Sequence, residues 1–169
     1  IMNWSNANPE VKLDCFWDNP ARKETYHYSD SLTFHPIDAE NYLAKMTECA
    51  GLISTAGFES VAEAMYLGKP AMMVPVPNHI EQMINAYDGE MSGAGIGAST
   101  FDLSIFKNYL PTHVSVKDQY QEWVAQSQRL MAGHLRDLIA QPVYVANFEK
   151  NQGTGLSGML GRRRFRWSR

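Results

Sequence analysis

Ser54-Thr55-Ala56-Gly57-Phe58-Glu59-Ser60-Val61-Ala62-Glu63 follows the apolar pair Leu52-Ile53 and opens an amphipathic run. A short strand, a turn of small residues and a helix are predicted there. A helix start leaves backbone N–H groups without partners. Here those of Gly57, Phe58 and Glu59 are predicted to face whatever lies above the strand end, with the positive helix terminus behind them, an arrangement that suits a phosphate. Gly57 serves two ends in this reading, a sharp chain turn and an open approach to the amides. Glu63 comes six residues later on the same helix and is placed either to accept from the 2′ and 3′ hydroxyls of a ribose or to face solvent.

Outward from that stretch, Val11–Trp17 and Leu32–His35 read as strands, separated by a turn-rich loop over Asp18–Asp30. Pro36 stops the second strand. Asp38 caps a helix from Ala39 to about Glu48, and Gly51–Ser54 is the third strand. A helix over Gly57–Leu67 carries Phe58, Val61, Ala62, Met65 and Tyr66 as its apolar stripe and ends at Gly68. Ala71–Pro75 is apolar throughout, as a strand covered on both faces should be. Asn78 is expected to cap a helix to about Tyr87. Gly89, Gly93, Gly95 and Gly97 read as a loose loop. A short helix over Phe101–Tyr109 follows, then a long one over Lys117–Ile139 that packs through Tyr120, Trp123, Val124, Leu130, Leu135 and Leu138. The alternation predicts an α/β fold, a Rossmann-like parallel sheet with helices on both faces. Residues 1–140 are expected to form this sheet domain with its long C-terminal helix, and 141–169 a loosely packed, glycine-rich and basic tail.

Ligands of such folds bind beyond the carboxyl ends of the strands. Three loops fall there: 35–38, 54–58 and 75–81. His35 either stacks on a base or closes its loop. His79, Glu81 and Gln82 follow two stiffening prolines and can either read sugar hydroxyls or serve the helix start. His79 has no sequence partner that would make it a general base. His27 reads as an exposed loop residue. No histidine or carboxylate spacing points to a metal, and the turn is neither a P-loop nor a Gly-x-Gly-x-x-Gly fingerprint.

The chain has 169 residues, 44% hydrophobic and 20% charged, with a formal charge of −3. Arg162-Arg163-Arg164-Phe165-Arg166-Trp167-Ser168-Arg169 holds five of the 15 basic residues, which leaves 10 basic against 18 acidic elsewhere. That balance argues against nucleic acid as a partner. The basic end leaves open peripheral association with an anionic membrane face. Cys15 and Cys49 read as buried thiols of a reducing, cytoplasmic compartment. The chain opens at Ile1, almost on a strand, so a longer parent protein is expected.

Thr55-Ala-Gly-Phe-Glu-Ser-Val-Ala-Glu63, Leu67-Gly-Lys-Pro70, Met73-Val-Pro75, Glu81-Gln82 and Asn85-Ala86 occur in that order. Together they resemble the C-terminal, donor-binding domain of GT-B fold glycosyltransferases of the MurG-like and UDP-glycosyltransferase-like group, over about residues 31–97. The resemblance implies a UDP-sugar as donor and no cofactor. Ser54, Thr55, Ala56, Gly57 and Phe58 would hold the diphosphate and Glu63 the ribose. Glu81 and Gln82 would meet the donor sugar, and the stretch through His35 and Ile37 the base. It also implies that the catalytic base lies in an N-terminal acceptor-binding domain outside this chain, so no catalytic residue is assigned. The chain departs from the family at Ala56, where a glycine or cysteine is usual and a methyl leaves a phosphate less room, and at Glu81, which replaces an aspartate. The first strand and helix of the usual donor domain are also expected to be absent. A UDP-sugar 2-epimerase-like enzyme and a non-catalytic binding or scaffold protein are the alternatives.

Overall fold

The computed structural model describes residues 1–140; the expected tail lies outside them. The first 130 residues form one compact unit. Its strands are β1 (Leu13–Phe16), β2 (Tyr26–Ser29), β3 (Leu32–His35), β4 (Leu52–Ser54), β5 (Ala71–Met73) and β6 (Gly95–Gly97). The helices are α1 (Met2–Ala7), α2 (Ala39–Glu48), α3 (Phe58–Leu67), α4 (Ile80–Met91), α5 (Leu103–Tyr109) and α6 (Lys117–Ala140), with a 3-10 turn at Leu110–Thr112. The fold is α/β and Rossmann-like, and its parallel sheet has the order β4-β5-β6.

β5 shows why that sheet is covered on both sides. Its residues are fully buried and alternate between faces. Ala71 and Met73 join Ala56, Val61, Ala86 and Ala94 under α3 and α4. Met72 and Val74 meet Phe106 on the opposite face, beside Ile53, Ile96, Tyr109 and Leu110. A second three-stranded sheet has the order β1-β3-β2, parallel between β1 and β3 and antiparallel between β3 and β2.

Several local expectations need correction. The 18–30 segment contains β2, whose Tyr26 stacks on Phe34 with ring centroids 6.3 Å apart. His27 is therefore an exposed strand residue. The glycine-rich stretch is the end of α4 followed by β6, which pairs in register with β5. A Cβ at Gly95 would collide with the Ala71 carbonyl, so the missing side chain is what allows the strand to pair. α4 is capped by His79 and not by Asn78, which takes φ +65°. Phe58 and Tyr66 of α3 are exposed; the buried stripe is Val61 and Ala64. α6 buries no residue; Trp123, Leu130, Leu135 and Leu138 are all exposed. Ile80, Met83, Ile84, Tyr87 and Met91 leave an uncovered apolar face on α4. Among the described residues no helix is long and apolar enough to cross a membrane.

Candidate functional site

β4 and β5 run side by side with Ser54 opposite Met73, so the turns leaving their carboxyl ends are neighbours. In the first turn Ser54 accepts a hydrogen bond from the Val74 amide at 2.8 Å. Ala56 then takes φ +63°, a left-handed conformation that costs a non-glycine residue roughly 1–2 kcal/mol. Two contacts offset it. The methyl is fully buried in the core, and the carbonyl accepts from Asn85 Nδ2 at 3.1 Å.

This corrects two expectations. The Ala56 methyl faces the core and takes no room from a ligand. The sharp turn belongs to Ala56, while Gly57 has ordinary extended angles, φ −65° and ψ 132°. What Gly57 provides is space, since a Cβ there would meet nothing within 4 Å. No side chain caps α3, and the amides of Gly57, Phe58 and Glu59 donate to no protein acceptor among the described residues. Thr55, Gly57 and Phe58 are exposed, and Phe58 is 63% exposed. An uncapped helix start at the carboxyl edge of a parallel sheet can hold an anion.

The second turn is tied to its own helix. Val76 N donates to Gln82 Oε1 at 2.8 Å, and Gln82 N donates to His79 Nδ1 at 3.3 Å. The Nδ1 lone pair is thereby used, and the ring proton sits on Nε2. His79 is a cap. Gln82 still offers its side-chain NH2, and Glu81 is exposed beside it. Asn85, for which no site role is expected from sequence, ties the first turn to α4.

Glu63 is exposed on α3 and faces Tyr42 of α2. Burial pushes the Tyr42 phenol above its ordinary pKa; the Ser60 hydroxyl beside it pulls partly back, and the Glu63 carboxylate pushes it further up. At the end of β3 His35 is only 6% exposed. Its Nε2 donates to Asp14 Oδ1 at 2.7 Å and its Nδ1 accepts from Asn41 Nδ2 at 3.3 Å. The ring is therefore not free to stack on a base. Burial raises the Asp14 carboxyl, but hydrogen bonds from His35 and Lys45 outweigh it and hold the group below its ordinary value. Ile37, by contrast, is 66% exposed. Asp14 and Tyr42 carry no local sequence signal; only the packing of separate elements brings them to this edge.

An open groove of about 200 Å³ lies between α3 and α4, lined by Phe58, Val61, Met65, Asn85 and Asp88. It shares Phe58 and Asn85 with the turn region but contains neither Gly57 nor Glu63 nor Glu81. Among the described residues no three His, Cys, Asp or Glu side chains converge to hold a metal ion.

A Rossmann-like fold with an uncapped helix at the carboxyl edge of its sheet is a scaffold of the anion-binding kind. The chain belongs to glycosyl transferase family 1, whose family model matches residues 19–112, more than half of its length. The GT-B, MurG-like resemblance holds. Relatives include the UDP-N-acetylglucosamine--N-acetylmuramyl-(pentapeptide) pyrophosphoryl-undecaprenol N-acetylglucosamine transferase of Lactobacillus acidophilus. It is 27% identical over 121 residues, which are 69% of this chain and 32% of the relative. The transferase of the same name from Lactobacillus delbrueckii subsp. bulgaricus is 31% identical over 108 residues, 62% of this chain and 29% of the relative. The chain thus spans about a third of the length of the curated relatives it matches. No solved structure matches it.

Proposed function

We propose that residues 1–140 are the donor-binding part of a glycosyltransferase that moves a sugar from a UDP-sugar to an acceptor hydroxyl. The observation that carries this is the start of α3, uncapped and open at Gly57. As the glycosidic bond breaks, the acceptor oxygen bonds to the anomeric carbon and negative charge grows on the departing diphosphate. The amides of Gly57, Phe58 and Glu59 favour that charge more in the transition state than in the ground state. Ser54 and Thr55 shape the turn, and Glu63 binds the ribose hydroxyls. Glu81 and the Gln82 NH2 orient the sugar, with His79 fixing the helix that carries them. The base lies against Ile37 and the backbone after His35. A base in an N-terminal acceptor-binding domain outside this chain takes the acceptor proton.

The names of the relatives support UDP as the nucleotide carrier and N-acetylglucosamine as the sugar. Their acceptors are named as undecaprenol-linked, which supports peripheral association with a membrane face. The test is calorimetry with UDP, UDP-N-acetylglucosamine, GDP-sugars and dTDP-sugars. Uridine ligands are expected to bind. Gly57→Val is expected to weaken UDP by about tenfold or more with the melting temperature unchanged, because its side chain enters open space. Undiminished UDP binding by folded Gly57→Val overturns the reading.

A further inference from the structure

We infer that His35 is a positioning residue for the nucleotide base: its hydrogen bonds to Asp14 and Asn41 hold the loop at residues 36–38 where the base is read. This deepens the donor-site reading and rests on it. His35 is the last residue of β3, directly before that loop, and both ring nitrogens are committed to other elements. Nε2 bonds Asp14 of β1 at 2.7 Å, and Nδ1 is bonded by Asn41 of α2 at 3.3 Å. The Asp14 carboxylate only accepts, so Nε2 carries the proton, and the Asn41 amide donates to the remaining lone pair. Neutral imidazole satisfies both partners. Lys45 Nζ lies 3.3 Å from the same Asp14 oxygen and compensates its charge.

The loop is tied at both ends. Trp17 N donates to the His35 carbonyl at 3.1 Å, and Asn41 N donates to Asp38 Oδ1 at 2.7 Å. Between these ties the loop presents Ile37 to solvent. The array extends into the aromatic packing between β1 and α2. The His35 ring stacks on Phe16 at 4.9 Å between centroids, and Phe16 meets Tyr42 edge-on at 5.1 Å. These contacts tie the base loop to β1 and α2. A leucine would fill the same space with less desolvation, but it would leave the loop untied.

The experiment measures UDP and inorganic pyrophosphate binding to the full chain by calorimetry, for the wild type, His35→Leu, His35→Gln and Asn41→Leu. Folding of each variant is checked by circular dichroism. His35→Leu and Asn41→Leu are expected to weaken UDP by about tenfold and leave pyrophosphate within about twofold. His35→Gln can still donate to Asp14 and accept from Asn41, so most of the UDP affinity should return. Equal losses for both ligands would mean a merely structural role and overturn the inference, as would unchanged UDP affinity in folded His35→Leu and Asn41→Leu. Wild-type binding of pyrophosphate without any preference for UDP overturns the inference alone. Binding of neither ligand overturns the donor-site reading together with it.

Discussion

Ala56 carries the backbone strain of the turn between β4 and α3, and its small size is what makes that position workable. Its methyl fills a closed site while its φ is positive. Ala56→Val puts a β-branched residue into left-handed backbone and overfills the core. It should lower unfolding stability by roughly 2–4 kcal/mol in urea titration; a loss under about 1 kcal/mol would mean the turn relaxes freely. Asp14 carries a pH dependence. Its folded pKa lies below its ordinary 3.8, so its contribution to stability is fully present above that value and is lost as pH falls through the folded pKa. Asp14→Asn should be less stable than the wild type at neutral pH, and the gap between their urea midpoints should close as pH drops below 3.8. A gap that stays constant with pH would refute an ionised Asp14 held by His35 and Lys45. The site residues were unevenly legible at this scale. The turn and Glu63 stand out because strand, small residues and helix are adjacent in the chain. The engagement of His35 could not be read, because Asp14 is 21 positions away and lies on another strand.

Elements with strong local signals formed where expected, and weakly marked ones did not. α2 starts at the Asp38 cap, and α3 ends at Gly68 with φ +75°, because caps and left-handed glycines act within a few residues. β6 is the opposite case. Gly-Ile-Gly has little intrinsic strand preference; it is a strand because β5 offers an edge and Gly95 lets the backbones close. Gly95→Ala should therefore detach β6 and destabilise the chain by more than about 3 kcal/mol, measured by thermal unfolding. A stable Gly95→Ala variant would show that the pairing tolerates a methyl. β2 was hidden for a related reason. It is a short outer strand at the side of its sheet, supported by Phe34 through Tyr26, and such strands carry weak patterns. The cap of α4 passed to His79 once Asn78 took positive φ, a choice made by the loop after β5.

For the whole molecule, the proposed function has donor binding in this chain and proton removal outside it. The 169-residue chain should accordingly bind UDP in calorimetry and release no UDP from a UDP-sugar in the presence of acceptor. Product formed by the chain alone would show that it holds its own base. The amino-acid sequence by itself determined the βα alternation, the apolar β5, the helix boundaries at Asp38 and Gly68, and the open Gly57 turn, since each depends on neighbours within one or two turns of chain. Tertiary structure alone decided that the Ala56 methyl is sequestered, that Asn85 ties the first turn to α4, and that His35 is held by Asp14 and Asn41. These are contacts between elements distant in sequence, formed only when the sheets and helices close-pack, so no local pattern records them.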